Sequence, residues 1–407
     1  MRPSAAAALR SLRFDELPLT LRIAVYFYIV RLPLQGKPAA LELGAFFILL
    51  FLGVAVARRE VRPLFHILVF PLFLYCLAST LSALVNNATI HAFADAMTWF
   101  KMLIFPALLT IYAAVPRLRE VIIRGDALFA VLIAVWGLFE YVVLGQRTLE
   151  TRITGPSTHV MTYSGQLLPL SLFFAVLAAH RQRWWLWGTA VLSSLALLLT
   201  FTRSVWFGWM AGLLVLLVLK RPRWLVYVIP MLLIVVSLLP MNFFGRLVSS
   251  FDVRQASNLD RIRMAEAGIE IIKDYPTLGV GPANVKEIYP LYRKPDAPRF
   301  RPSHLHNNVI QIWAERGILG LAAYVSFLIL FLRECARGWH GPRREFAQAG
   351  VAMAVALTYA GLFEFNWGDT EVLYTTLQLF ALVVASLRVP AEVVSNESAA
   401  SLVPATT

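Results

Sequence analysis

The segment Ser303-His304-Leu305-His306-Asn307-Asn308 sets two imidazoles two residues apart, where a proline-rich polar stretch meets a helical pattern. Histidine changes charge near neutral pH, so it can take a proton from a hydroxyl as a general base. The competing reading is a plain helix start, with Ser303 or Asn307 as the cap and an imidazole bonded to a backbone carbonyl. Between the two rings, His306 is the stronger candidate base and His304 the weaker. A metal centre is not expected, because His-x-His without nearby cysteines or paired carboxylates supplies too few ligands. Cys76 and Cys335 add neither a zinc cluster nor a disulfide framework. Glu315 reads as a helix-surface or interfacial charge.

Arginine is the second residue type with chemical meaning. A guanidinium is permanently charged and forked, which suits it to phosphate oxygens. The chain holds 37 Lys and Arg against 24 Asp and Glu, for a net charge of +13. Most of the basic residues sit in every other link between apolar runs, as the positive-inside bias requires, so nucleic acid is not an expected partner. A second set falls in the alternate links: Arg147, Arg152, Arg203, and then Arg246, Arg254, Arg261, Arg263, Arg293, Arg299 and Arg301 in one long polar interval. Scattered loop arginines often only snorkel to lipid headgroups, and Arg246, Arg254, Arg293, Arg299 and Arg301 fit that reading. Arg203 differs, since it occupies a tight turn between two apolar helices, where an ionised group is costly unless paired or bound. Arg261 and Arg263 lie two apart at the start of a helical pattern, and spacing leaves open which one faces a site.

The elements that must position these groups are membrane helices. The chain is 58% hydrophobic and 15% charged, with mean hydropathy +0.66, whereas soluble chains carry about a quarter charged residues. A spanning helix needs about 20 mostly apolar residues. Such runs lie near 20–34, 39–57, 64–84, 96–115, 126–144, 160–179, 184–200, 204–219, 224–240, 318–333, 347–364 and 372–388. These predict an all-α integral membrane protein with about 12 transmembrane helices and both termini cytoplasmic. The Arg2, Arg10 and Arg13 region has no compact cleavable signal and is read as retained. Four parts follow: transmembrane helices in 1–240, a large outer loop in 241–317, further transmembrane helices in 318–390, and a disordered tail in 391–407. Within the loop, Ile262, Ala265, Ile269 and Ile272 predict an amphipathic helix over 260–274. Pro290, Pro295, Pro298 and Pro302 keep the remainder irregular, and a helix resumes over 306–315.

Arg261-Ile-Arg-Met-Ala-Glu-Ala-Gly-Ile-Glu-Ile-Ile-Lys-Asp-Tyr-Pro-Thr-Leu-Gly-Val-Gly281, then His306-Asn307, then Glu315-Arg-Gly-Ile-Leu-Gly320, together resemble the family of O-antigen ligases and related O-antigen polymerases. Thr202-Arg203-Ser204 is similar to that family's Ser/Thr-Arg-Ser turn, and Arg152-Ile-Thr-Gly155 to its earlier Arg-x-x-Gly loop. The likeness covers about residues 150–325 in pieces, and it departs at Ala265, where the family often has an aromatic residue. The resemblance implies a twelve-helix, GT-C-like ligase of the bacterial inner membrane, with a periplasmic loop of short helices. It implies a metal-independent, inverting glycosyltransferase that moves a glycan from undecaprenyl diphosphate to lipid A-core in lipopolysaccharide biosynthesis. Carried over by position, Arg203 and Arg261 bind the donor diphosphate and His306 activates the acceptor hydroxyl, while Arg152, Arg263, His304 and Asn307 are candidate substrate contacts. Rival readings are an O-antigen polymerase, a protein O-oligosaccharyltransferase, and a transporter of lipid-linked glycans, which would show charges and broken helices at the bilayer midplane. The oligomeric state is left open.

Overall fold

A computed structural model describes residues 18–31, 38–86, 92–115, 118–146, 148, 150–220 and 255–388. The ninth predicted span, Arg147, Arg246, Arg254, the N-terminal arginines and the C-terminal tail fall outside the described residues.

Among the described residues the chain is all helical. Eight described helices precede the polar interval: α1 (Leu19–Arg31), α2 (Pro38–Ala57), α3 (Val69–Val85), α4 (Ala92–Ala114), α5 (Leu118–Val142), α6 (Val160–Arg181), α7 (Trp184–Leu199) and α8 (Arg203–Lys220). The interval itself contributes α9 (Ala256–Asp274) and α10 (Val285–Tyr292), and the chain continues through α11 (Asn308–Gly338), α12 (Arg344–Ala360) and α13 (Thr370–Leu387). Five of these helices are long and apolar enough to cross a bilayer, and four shorter ones are also apolar. This is a multi-pass membrane protein. Its outward faces agree: Leu128, Leu132, Val135 and Phe139 form an exposed apolar stripe along α5, which water would penalise and lipid tails accept.

Helices α6 and α13 are buried at the centre of the bundle. Phe331 stacks on Phe380 with centroids 3.8 Å apart, joining α11 to α13. Trp367, in the α12–α13 link, packs edge-on against Tyr75 of α3 and Tyr324 of α11. That link is thereby fixed to two helices on either side.

The polar interval has a small core of its own, built from Met264, Ala267, Ile271, Val280, Val285, Tyr289 and Leu305. It corrects the predicted stripe, because Ile262 and Ile269 are exposed while Met264, Ala267 and Ile271 face inward. Both sets recur at helical spacing, and periodicity alone does not say which faces a partner. The partner here is Leu305 with Ile310, which press so closely on Gly268 that a Cβ there would lie 2.4 Å from Ile310. Pro290 is a second correction: it lies inside α10 rather than in irregular chain. Burial of Val285 and Tyr289 holds that helix, and the carbonyl that Pro290 leaves without a donor belongs to the exposed Lys286.

The predicted helix over 306–315 and the tenth span form one rod, bent at Gly317 (φ 67°, ψ −172°). Pro276 and Thr277 approach this bend, Ile318 N–H donating to the Pro276 carbonyl at 2.9 Å. A Cβ at Gly317 would lie 1.9 Å from the Thr277 oxygen, so the Glu315-Arg316-Gly317 sequence is a backbone requirement. Glu315 also departs from expectation, since it is buried, accepts from Gln311 at 2.7 Å and pairs with Arg316 at 2.5 Å. Arg316 in turn reaches Ser79 and lies over the Tyr75 ring. A pair of charges that satisfy each other can remain in an interior that would expel either alone.

Candidate active site

Five links or helix ends meet around one cavity of about 840 Å³. They are the α5–α6 link with Arg152, the N-terminal part of α9 with Arg261, the 299–306 segment, the start of α11, and the α12–α13 link with Glu364. Consecutive spans alternate in direction, so links two helices apart return to the same end of the bundle. The residues of the scattered motifs are brought together by that alternation.

The α5–α6 link is held by Glu140, whose carboxylate accepts from the backbone N–H of both Thr154 and Gly155 at 2.8 Å. Gly155 takes φ +58° and meets the Tyr163 ring where a Cβ would stand. The Arg-x-x-Gly pattern is therefore a tight loop that presents Arg152 to the cavity. Arg203, the first residue of α8, is behind the wall rather than on it. Its guanidinium donates to Gln255, Ser257 and Asn258 at 2.9, 3.1 and 2.6 Å, tying α8 to the first turn of α9. Arg261 projects from the next turn of α9 and does line the cavity.

Arg261 and Arg263 separate cleanly. Two residues turn an α-helix by about 200°, so the second arginine faces away, where it pairs with Asp296 and Glu266 at 2.5 and 2.7 Å. Arg263 is thus not brought to the site. Arg299, read from the sequence as a solvated charge, is brought to it: it bridges Asp260 at 3.0 Å and lies 3.5 Å from His306 Nε2.

The guanidinium cluster is short of counter-charge. Among the described residues no carboxylate pairs with Arg152 or Arg203, and Arg152 Nη1 is buried without a hydrogen-bond partner. Burial, then repulsion from Arg261, lowers the Arg152 pKa. For Arg261 burial again leads, opposed by Glu364 and reinforced by Arg299. Like charges gathered in a partly desolvated wall repel one another until an anion joins them.

His306 stands at the edge of this wall with φ 51°, a left-handed conformation that costs a non-glycine residue about 1–2 kcal/mol. Two neighbours hold it there. Asn307 caps α11 by accepting from Ile310 N–H at 3.0 Å and donates to the Leu362 carbonyl at 2.8 Å. Glu364 receives the imidazole, with His306 Nδ1 at 2.9 and 3.0 Å from its two oxygens. A carboxylate only accepts, so Nδ1 carries the proton and Nε2 offers its lone pair to the cavity. Burial pushes the Glu364 pKa up, but the His306 hydrogen bond and the charges of His306, His304 and Arg261 outweigh it and hold the carboxyl below its usual range.

His304 is edge-on to His306, 4.2 Å between centroids. Burial, only partly opposed by Glu364, brings its pKa down to about 4, which makes it a poor proton acceptor at neutral pH. Asn307 is not on the cavity wall and acts as a cap and clip. Asn307→Ala is expected to cost about 1 kcal/mol of stability and to loosen the backbone that carries His306; thermal unfolding of the purified protein measures the first effect.

Sequence spacing does not reveal Glu364, which lies 58 residues from His306 and completes a cluster of three potential metal ligands with His304 and His306. Its signal was an acid in a short link on the same face as the outer loop, in a chain poor in acids. The donor set suits a transition metal by composition. The Arg261 guanidinium 3.9 Å from Glu364 and Arg299 beside His306 put positive charge where a dication would sit, so the arrangement fits a carboxylate-backed base better.

No curated protein matches the chain. Residues 188–325, about a third of the sequence and the part that carries Arg203, Arg261 and His306, match the family model described as O-antigen ligase, and it is to that family that this portion of the chain is similar.

Proposed function

We propose that this protein is a metal-independent, inverting glycosyltransferase of the bacterial inner membrane. It ligates O-antigen from undecaprenyl diphosphate onto lipid A-core at the periplasmic face. The observation that carries this reading is the shared cavity, in which an under-neutralised guanidinium cluster adjoins an imidazole backed by a buried carboxylate. The cluster receives the donor diphosphate, and the polyprenyl chain stays among the lipid-facing helices.

His306 Nε2 takes the proton of an acceptor hydroxyl as that oxygen bonds to the anomeric carbon from the face opposite the diphosphate. The bond from that carbon to the diphosphate oxygen breaks, and its electron pair leaves with the carrier. Glu364 stabilises the imidazolium that forms. Arg152, Arg261 and Arg299 meet the charge growing on the leaving group, with Arg203 holding the turn of α9 in place and adding its own field. This division revises the resemblance, which puts Arg203 and Arg261 in one role.

The test is ligation by purified protein in lipid nanodiscs, given lipid-linked O-antigen, lipid A-core and excess chelator. Capped lipid A-core in undiminished yield is the expected result. Glycan lengthening on the carrier with no capping would assign the chain to the polymerases, and loss of activity restored by a divalent ion would overturn the metal-free mechanism.

A further inference from the structure

The cavity continues past Glu364 to a second set of charges that the transfer chemistry does not use. Lys101 of α4 lies in an apolar helix, where an ionised group needs a partner or a ligand. Its ammonium donates to Thr370 Oγ1 at 2.7 Å, which leaves two of its three N–H groups for other acceptors. Glu42, Asp369, Glu371 and Arg316 are the charged groups around it. Asp369 caps α13 through Val372 N–H at 3.1 Å and takes the Thr162 hydroxyl on its other oxygen at 2.5 Å.

The charges in and behind the cavity wall fall into two neighbourhoods. Arg152, Arg203, Arg261 and Arg299 act on one another, whereas Lys101 acts with the acids. Glu364 touches both, through Arg261 on one side and the field it exerts on Asp369 on the other. The base therefore stands between a cationic end and an end where one lysine faces Glu42 and an Asp369–Glu371 carboxyl pair hydrogen-bonded to each other. Arg316 is already matched by Glu315.

Two further features mark that second end. Trp367 and Asn366 line both this cavity and a small adjoining one of about 20 Å³, are more than nine-tenths buried, and carry Nε1 and Nδ2 donors without a hydrogen-bond partner. A buried donor left unpaired destabilises the protein, and a ligand oxygen can remove that penalty. Phe365, half-buried on the cavity wall, adjoins them in the chain and reaches His304 at 6.0 Å between centroids. Carboxylates and an ammonium to match hydroxyls, with aromatic faces for C–H surfaces, are the chemistry that recognises a neutral pyranose.

We propose that the Lys101–Asp369 end of the cavity is the subsite for the acceptor saccharide, and that it takes an uncharged sugar in preference to an acidic one. This rests on the reading of the protein as a glycosyltransferase, because the acceptor must approach His306 from the side opposite the diphosphate. Binding is measured without turnover, so failure of transfer and failure of the subsite are separable.

The full-length protein in nanodiscs is titrated with maltotriose as a neutral probe, trigalacturonic acid as its acidic counterpart, and geranylgeranyl diphosphate for the cationic end. Lys101→Met and Asp369→Asn each weaken maltotriose binding about tenfold and leave geranylgeranyl diphosphate within twofold. Asn keeps the helix cap, and unchanged diphosphate binding reports an intact fold for both variants. The unsubstituted protein binds trigalacturonic acid at least tenfold more weakly than maltotriose. Undiminished maltotriose binding in both variants, loss of diphosphate binding instead, no maltotriose binding by the unsubstituted protein, or equal binding of the two trisaccharides would each overturn the proposal.

Discussion

His306→Ala is expected to lower glycan transfer by roughly 10²–10⁴-fold, the range supplied by a positioned general base, while a polyprenyl diphosphate still binds. The separation follows from geometry. The Nδ1 side of the ring is occupied by Glu364 at 2.9 Å, and Nε2 is the face turned toward Arg299 and the cavity. Removing the ring deletes the proton acceptor but leaves Arg152, Arg203 and Arg261 in place. Glu364→Gln tests the same arrangement from behind. The amide can donate to Nδ1 and so favour the tautomer with its proton on Nε2, where it blocks acceptance from the hydroxyl. Its signature is a fall in kcat of on the order of 10²-fold with the KM for donor unchanged. A structural prop would instead weaken donor binding and stability together. Full activity in His306→Ala would remove the imidazole from the mechanism and leave the acceptor hydroxyl without its base.

Much of this architecture is legible in the sequence because lipid imposes a simple rule. Each apolar run long enough to span must be a helix, since its backbone groups have no water to bond, and eleven of the twelve predicted runs correspond to helices among the described residues. The edges were less legible. Helix α5 starts at Leu118 rather than near 126, taking the buried Arg119 into the bundle. Apolarity marks where a chain can meet lipid, whereas helix ends answer to caps and to neighbouring helices. Arg152 and Arg261, which line the cavity, stand out in the sequence because they break the charge bias, and the histidines because a lone pair of rings interrupts a proline-rich stretch. Glu364 and Lys101 were not found, for a common reason: each is a single charge at the margin of an apolar run, and its meaning comes from partners more than 50 residues away. Arg299 differs, since it stands in a polar loop and its role comes from Asp260 on α9 and His306 beyond it.

The second large effect separates two arginines that spacing leaves equivalent. Arg261→Ala is expected to reduce kcat/KM by about 10²–10³-fold, the loss typical of removing one preorganised group from a site of developing negative charge, and to weaken geranylgeranyl diphosphate binding. Arg263→Ala should stay within about twofold, because its ion pairs with Glu266 and Asp296 are on the far side of α9 and exposed pairs contribute little. Arg261→Lys should recover part of the loss, since an ammonium restores charge but not the fork that can meet two phosphate oxygens at once. Arg203→Ala acts differently: with its three bonds to Gln255, Ser257 and Asn258 gone, the first turn of α9 loses its tether, so donor binding and turnover fall together. Measuring kcat and donor affinity for all four variants discriminates these cases. Equal damage at positions 261 and 263 would mean that α9 is turned differently against the cavity, and the leaving-group assignment would then pass to Arg152 and Arg299, which other segments supply.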